Sequence, residues 1–388
     1  MNTGALSGLK VIDLTRILAG PWSTQILADL GADVIKVELP GEGDDTRHWG
    51  PPWVKDNNGN DTQESAYFQC ANRNKKSVCI DFTCDKGLSK LKSLISDADI
   101  LVENFKVGGT KKFGLDYETL SQLNPRLVYC SITGFGQTGP YAERPGYDFM
   151  IQAMGGLMSI TGEQDGNPGA GPQKIGVALS DVMTGLYATI GILAAIQERH
   201  SSGLGQHIDL ALLDVTAASL ANQATNYLVG GEIPTRLGNA HPNIVPYQNF
   251  NTTDKPLVVA VGNDSQFRRL AELIKEPSLA DDERFATNKM RVKHRDELIS
   301  VLEKALLKKN RDEWLYLMEL NGIAAGPINT VKEVFEHPQI VARDMLVELQ
   351  QVNGTAVKVA GNPIKFSRTP VQYNSAPPLL GEHDEEFN

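Results

Sequence analysis

The feature that most narrows what this chain can fold into is an alternation, through its first 135 residues, of short β-branched runs with helix-length stretches. Lys10-Val-Ile-Asp-Leu-Thr15 leads through Ala19-Gly-Pro21 and a helical stretch, Trp22 to Leu30, into a second run, Asp33-Val-Ile-Lys-Val-Glu38. Three more runs follow, Ser77-Val-Cys-Ile-Asp-Phe82, Asp99-Ile-Leu-Val-Glu103 and Arg126-Leu-Val-Tyr-Cys-Ser131, with helices predicted over Gly87 to Ile95 and Asp116 to Leu123. Apolar runs bounded by Gly and Pro and separated by helices are βαβ units, so the expected fold is an open α/β sheet with parallel strands. Beyond Ser180 the pattern predicts two long helices, Val182 to His200 and Leu210 to Val229. A fresh strand at Lys255 to Val261, with helices near Ser265 to Ile274, Arg295 to Lys308 and Asp312 to Asn321, predicts a second, smaller α/β domain over about 235 to 340. The Pro-rich tail reads as extended chain packed back on the rest.

Composition then removes whole classes of function. The 388 residues carry 47 acidic and 37 basic side chains, a formal charge of −10. Nucleic-acid proteins draw affinity from basic excess, so a general polyanion binder is excluded. Cys70, Cys79, Cys84 and Cys130 form no CxxC pair or finger spacing, which disfavours zinc and a disulfide framework and points to a reducing compartment. Structure predicted from Leu6 onward leaves no room for a leader peptide. The longest mostly apolar stretch, Val182 to Ile196, is 15 residues, short of the roughly 20 that cross a bilayer. The expectation is a soluble, cytoplasmic protein with no nucleic-acid or membrane partner.

Several segments admit a chemical reading beside a plain one. The turn Thr15-Arg-Ile-Leu-Ala-Gly-Pro21 stands where α/β proteins place ligand loops, and it is equally a helix start with Pro near its N-terminus. GxGxxG and GxxxxGK[ST] are absent, which lowers nucleotide readings. Residues 71 to 112 hold nine basic against five acidic side chains, a local reversal suited to a polyphosphate. Taken alone, Arg73, Lys75 and Lys76 read first as a solvated face, as charge runs usually are. The turn Thr133-Gly-Phe-Gly-Gln-Thr-Gly-Pro140 exposes backbone amides or is an ordinary loop. Asp181, ahead of a long apolar helix, is a helix cap or a carboxylate held ionised by the helix dipole and able to act as a nucleophile. Cys130 reads as core. His241, in Gly238-Asn-Ala-His-Pro-Asn243, lies in a polar loop that lines a site or the surface.

In combination these segments resemble the class III (CaiB/BaiF-type) coenzyme A transferases. The resemblance rests on Leu6 to Pro21, Leu30 to Glu38 with Gly43-Asp-Asp-Thr-Arg47, Asn72 to Ser77, Val102-Glu-Asn-Phe105, Gly134 to Pro140, Gly146-Tyr-Asp148 and Val177 to Gly185, in family order along nearly the whole chain. It implies a Rossmann-like coenzyme A domain over 1–200 completed by about 355–388, a linker helix over 201–234, a small domain over 235–340, a return linker over 341–354, and an interlocked homodimer. It implies Asp181 as covalent nucleophile, passing through aspartyl anhydride and aspartyl-CoA thioester states. Coenzyme A, a substrate rather than a tightly bound cofactor, would lie along Leu18, Ala19, Leu39, Lys75, Asn104, Phe105 and Lys112, with no metal.

Leu18 stands where formyl-CoA transferase has a glutamine, and Arg236 to Gln248 with Gly326-Pro-Ile-Asn329 resemble the succinate–glutarate branch. A dicarboxylate acceptor of glutarate type, with succinyl-CoA as donor, is therefore the expected substrate pair. Arg47, Arg236 and His241 are the candidates for its distal carboxylate. The Gly262-Asn-Asp loop stands where relatives carry a glycine-rich loop over the site, and relatives continue past Gly381 to Glu386 into a last helix. The related 2-methylacyl-CoA racemases use a Gly-His-Asp histidine where this chain has Tyr147, which favours transfer over isomerisation. A non-catalytic acyl-CoA-binding protein is the other alternative.

Overall fold

In the computed structural model, residues 4–387 are described; 1–3 and 388, at the ends of the expected large domain, lie outside the described residues. Six strands, β1 (Lys10–Asp13), β2 (Asp33–Glu38), β3 (Lys75–Cys79), β4 (Ile100–Glu103), β5 (Val128–Thr133) and β6 (His207–Ala211), form an all-parallel sheet. Their order is β3-β2-β1-β4-β5-β6, that of a doubly wound dinucleotide-binding sheet. The order reverses between β1 and β4.

Both faces of the sheet are covered, which is why the runs are apolar throughout instead of alternating. Val11, Val34, Val102 and Val128 face a core shared with helices α1 (Ala19–Asp29) and α5 (Leu179–Ser202). Their neighbours Ile12, Ile35, Leu101 and Tyr129 face the opposite core with α2 (Asp85–Ser96) and α3 (Tyr117–Leu123). α4 (Asp148–Met154) precedes α5 in the chain and adds Ile151 to the first core. α5 is longer than the 15-residue apolar run suggested. Its 24 residues are long and apolar enough to cross a membrane by length and composition, and its Ala188, Ile192, Ala195 and Ile196 lie in the core.

The helix expected over Leu210 to Val229 is divided. Its first residues belong to β6, and the remainder is α6 (Leu212–Ser219) and α7 (Ala221–Gly230), separated at Leu220–Ala221, where Ala221 has φ of 46°. β6 escapes a propensity reading because it is an edge strand with one neighbour. His207 and Asp209 face solvent, so its pattern is polar and alternating. The span expected as a linker, 201–234, is thus mostly integral to the large unit, which comprises residues 1–158, 174–232 and 338–388. The return linker also contains structure: β10 (Leu346–Gln350) pairs antiparallel with β11 (Ala356–Ala360).

The smaller unit takes in residues 159–173 as well as 233–337. Three antiparallel strands, β7 (Tyr247–Phe250), β8 (Leu257–Ala260) and β9 (Ala324–Pro327), stand in the order β9-β8-β7. They pack on Phe267, Leu298, Leu302, Trp314 and Met318 from its helices.

Arg73 and Lys75 are not a solvated face. At 4% and 1% exposure they neutralise buried acids of the large unit. Arg73 makes a two-pronged contact with Asp29 (2.9 and 2.6 Å) and reaches the Ala360 carbonyl at 2.9 Å. Lys75 Nζ meets Asp13 at 3.1 Å, the Pro21 carbonyl at 3.0 Å and Asn72 Oδ1 at 2.9 Å. Only Lys76 of the trio reaches solvent, pairing with Asp33 and Glu386. The tail packs back on the large unit as expected, but the part against edge strand β3 is a turn and a 3-10 helix (Asp384–Phe387) instead of extended chain: the Cys79 amide donates to Asp384 Oδ1, and the amides of His383 and Gly381 donate to the Ser77 carbonyl and Oγ.

Removing one partner of a buried ion pair strands the other charge at a cost of about 3–5 kcal/mol. Lys75→Met is accordingly expected to lower unfolding stability by that order in urea titration. Lys76→Met should change it by less than about 1 kcal/mol, as for exposed pairs.

Candidate active site

A cavity of about 420 Å³ opens at the carboxyl ends of β1, β4 and β5, where the strand order reverses. That is the place at which open α/β sheets bind ligands. The loop after β1 supplies Arg16, Ile17, Leu18 and Ala19; the loop after β4 supplies Asn104, Phe105 and Lys106; Asp148 and Asp181 complete one wall.

The β1 loop is held from beneath by buried charges. Asp13 Oδ1 accepts from the Thr15 amide (2.9 Å) and hydroxyl (2.5 Å), and Lys36 Nζ donates to the Thr15 carbonyl and to Asp44, both at 2.8 Å. Asp44 in turn accepts from the Ile17 amide at 3.2 Å. Burial pushes the Asp13 carboxyl up, but Lys75, Lys36 and the hydroxyls of Thr15 and Thr24 outweigh it and hold the group at about 2. Ile17 has φ of 74°, a left-handed conformation that a β-branched residue adopts only under constraint. Asn104 ties the two loops together, its Oδ1 accepting from the Arg16 amide (3.0 Å) and its Nδ2 donating to the Arg16 carbonyl (2.8 Å). No side chain caps α1, so its first amides remain available to a ligand.

Asp181 is not a helix cap. Asp148 does that work for α5, its Oδ1 accepting from the amides of Ser180 (2.8 Å) and Asp181 (3.4 Å) while Oδ2 accepts from Gln152 Nε2 (2.8 Å). Among the described residues the Asp181 carboxylate accepts no hydrogen bond. Nor is it held ionised as the helix dipole alone would have it. Burial, reinforced by the Asp148 charge, pushes Asp181 up to about 7. Tyr67 stands close enough to feel both acids; its phenol is pushed up to about 12 by burial, then by Cys70, Asp181 and Asp148.

Of the residues expected to hold coenzyme A, Leu18, Ala19, Asn104 and Phe105 share this cavity with Asp181. Leu39 lines a neighbouring hollow of about 390 Å³ at the ends of β1 to β3, which shares Arg16 and Phe105 with the first. Lys112 lies outside both, with its ammonium 4.6 Å from the Phe113 ring centroid. Lys75 is enclosed under the β1 loop and turned to Asp13.

The arginines expected for a distal carboxylate are committed elsewhere. Arg47 spends its guanidinium on Glu38 (2.7 and 2.8 Å), Glu64 (3.1 Å) and the Pro378 carbonyl, over the Phe68 ring. Arg236 pairs with Asp165 in the smaller unit, where His241 lies beside Tyr247. Gly262 begins a helix cap, its amide donating to Gln266 Oε1 and Asn263 accepting from the Gln266 amide. Cys130 is core. Sequence reasoning missed Arg16, Tyr67, Arg144 and the capping role of Asp148, although Asp148 was in view beside Tyr147. Among the described residues no group of three His, Cys, Asp or Glu side chains is placed to hold a metal ion.

Comparison with known proteins agrees with this geometry. The model of CoA-transferase family III matches residues 6–384. A succinate–glutarate CoA-transferase of Agrobacterium fabrum is 51% identical over 98% of this chain and 94% of its own length. The human succinyl-CoA:glutarate CoA-transferase is 42% identical over 98% and 85%. The crystal structure of a CaiB/BaiF family protein from Brucella suis superposes with a TM-score of 0.86 at 50% identity, covering 99% of this chain and all of that one. An α/β sheet of this order, with its cavity at the reversal point and a match running from Leu6 to Asp384, makes the chain a member of CoA-transferase family III and an enzyme that transfers coenzyme A.

Proposed function

We propose that the enzyme moves coenzyme A from succinyl-CoA to a dicarboxylic acid of glutarate type, with Asp181 as covalent nucleophile. The observation that carries this reading is the Asp181 carboxylate: it lies in the wall of the cavity with no hydrogen-bond partner among the described residues, while Asp13, Glu38 and Asp44 are fully engaged. The substrate pair is supported by the names of the relatives in Agrobacterium and human.

In this reading the Asp181 carboxylate attacks the thioester carbonyl and expels the CoA thiolate, forming a mixed anhydride. The thiolate attacks the aspartyl carbonyl, releasing succinate and leaving an aspartyl-CoA thioester. The acceptor carboxylate then displaces the thiolate to form a second anhydride, and the thiolate attacks the acceptor carbonyl and frees Asp181. No proton or water is consumed. Leu18, Ala19, Phe105 and Leu212 give the cavity an apolar lining that keeps water from the anhydrides. Lys106, in the loop after β4, is the cation that would receive a phosphate of the coenzyme. Exposed Tyr187 and Ile190 on α5, with Leu228 and Val229 on α7, support a homodimer.

Incubation with succinyl-CoA followed by hydroxylamine is expected to convert Asp181 to a hydroxamate, visible as a mass shift on its peptide. Full transfer by Asp181→Ala would sink the assignment. The nucleophile must be ionised, and its group titrates at about 7. The donor kcat/KM should therefore fall by about tenfold per pH unit below that value. Asp148→Asn, which removes the neighbouring negative charge, should move this acid limb to lower pH in the rate profile.

A further inference from the structure

Two arginines line the Asp181 cavity, and only one is free to bind an anion there. Arg16 is paired with Asp45 at 3.0 Å. Arg144 has no carboxylate partner among the described residues; its guanidinium carbon lies 3.8 Å from the centroid of the Tyr141 ring. The ring occupies one face of the planar fork and leaves its N–H edges available, the arrangement in which arginine binds a carboxylate through two parallel bonds.

We propose that Arg144 selects dicarboxylic over monocarboxylic acceptors by holding the distal carboxylate while the other carboxylate reacts at Asp181. The assignment rests on the reading of Asp181 as nucleophile and of dicarboxylates as acceptors. Charge requires such a group. The Asp148 charge stands in the wall beside the acylated Asp181, so an acceptor bearing two negative charges is repelled unless a cation faces its far end.

Position points to the same residue. Arg144 lies four positions before Asp148, at most about 14 Å of extended backbone. The segment is pinned at Asp148 through the Ser180 amide at 2.8 Å. It is pinned again at Gly146, whose backbone lies so near Gly134 that an added Cβ would stand 2.3 Å from the Gly134 Cα. Arg47 and Arg236 are consumed by other acids. Lys106 is a point charge on the basic loop after β4, suited to a phosphate oxygen rather than to a planar carboxylate.

The test compares kcat/KM for glutarate and for pentanoate, which has the same carbon count without the second carboxylate, using succinyl-CoA as donor. Both acceptors meet the same CoA-loaded enzyme, so their ratio is insensitive to donor binding. Arg144→Met is expected to lower the glutarate-to-pentanoate ratio by about 10- to 100-fold, the worth of hydrogen bonds between charged groups. Arg144→Gln, similar in polarity but uncharged, should show the same fall and serves if the Met variant does not fold. Lys106→Met should raise the KM for succinyl-CoA and leave the ratio near that of the unaltered enzyme.

A wild-type ratio in folded Arg144→Met and Arg144→Gln overturns the assignment, as does a ratio that collapses in Lys106→Met alone. If the unaltered enzyme transfers coenzyme A to no dicarboxylate, the substrate reading fails and takes this assignment with it. If it prefers dicarboxylates and the Arg144 variants keep that preference, only the assignment fails.

Discussion

A chain of buried charges beneath the β1 loop fixes the geometry on which the cavity depends. Asp13 gathers Thr15, Thr24 and Lys75, Lys36 joins the Thr15 carbonyl to Asp44, and Asp44 holds the Ile17 amide. Burying ions in this way adds little net stability, because desolvation offsets most of the Coulombic gain. It does define one geometry. Left-handed backbone at a β-branched residue costs about 1–3 kcal/mol, and Ile17 is held there by its amide bond to Asp44, which Lys36 in turn anchors. Leu18 and Ala19 follow directly, so their place in the cavity wall is inherited from Asp13 and Asp44.

Against that background Asp181 is the exception. Glu38 is met by Arg47 and Ser77, Asp29 by Arg73, Asn74 and Asn362, and Asp44 by Lys36 and Thr46. Asp181 has instead a second carboxylate as its neighbour. The helix terminus that would have stabilised its charge is occupied by Asp148, which leaves Asp181 both destabilised as an anion and unobstructed. A carboxylate in that condition suits the nucleophilic role proposed for it, since no partner among the described residues competes for it.

Much of the fold was legible because the inner strands are apolar on both faces and punctuated by Gly and Pro. β6, β7 and β9 were not, since short or edge strands owe their existence to neighbours remote in sequence. In the site, Leu18, Ala19, Asn104, Phe105 and Asp181 follow from motifs on loops that the topology brings to one place. Lys75 and Arg47 misled for a common reason: a charged side chain in a sequence carries no mark of whether its partner is a ligand or a buried acid. Their partners, Asp13 and Glu38, sit 62 and 9 residues away. Arg144 was passed over because nothing in the local sequence distinguishes a free guanidinium from an engaged one.

The tail that lies along β3 has a consequence for how the chain matures. Cys79 and Asp384 are bonded across 305 residues, and Arg73 reaches Ala360 across 287. The outer edge of strand β3 therefore stays uncovered during synthesis until a segment about 300 residues further along has been made. Exposed strand edges pair readily with other chains, and contacts this distant in sequence form late. A strand edge whose cover comes from so far along the chain stays open until that distant segment folds back, and the residues around Asp384 are the ones that close it.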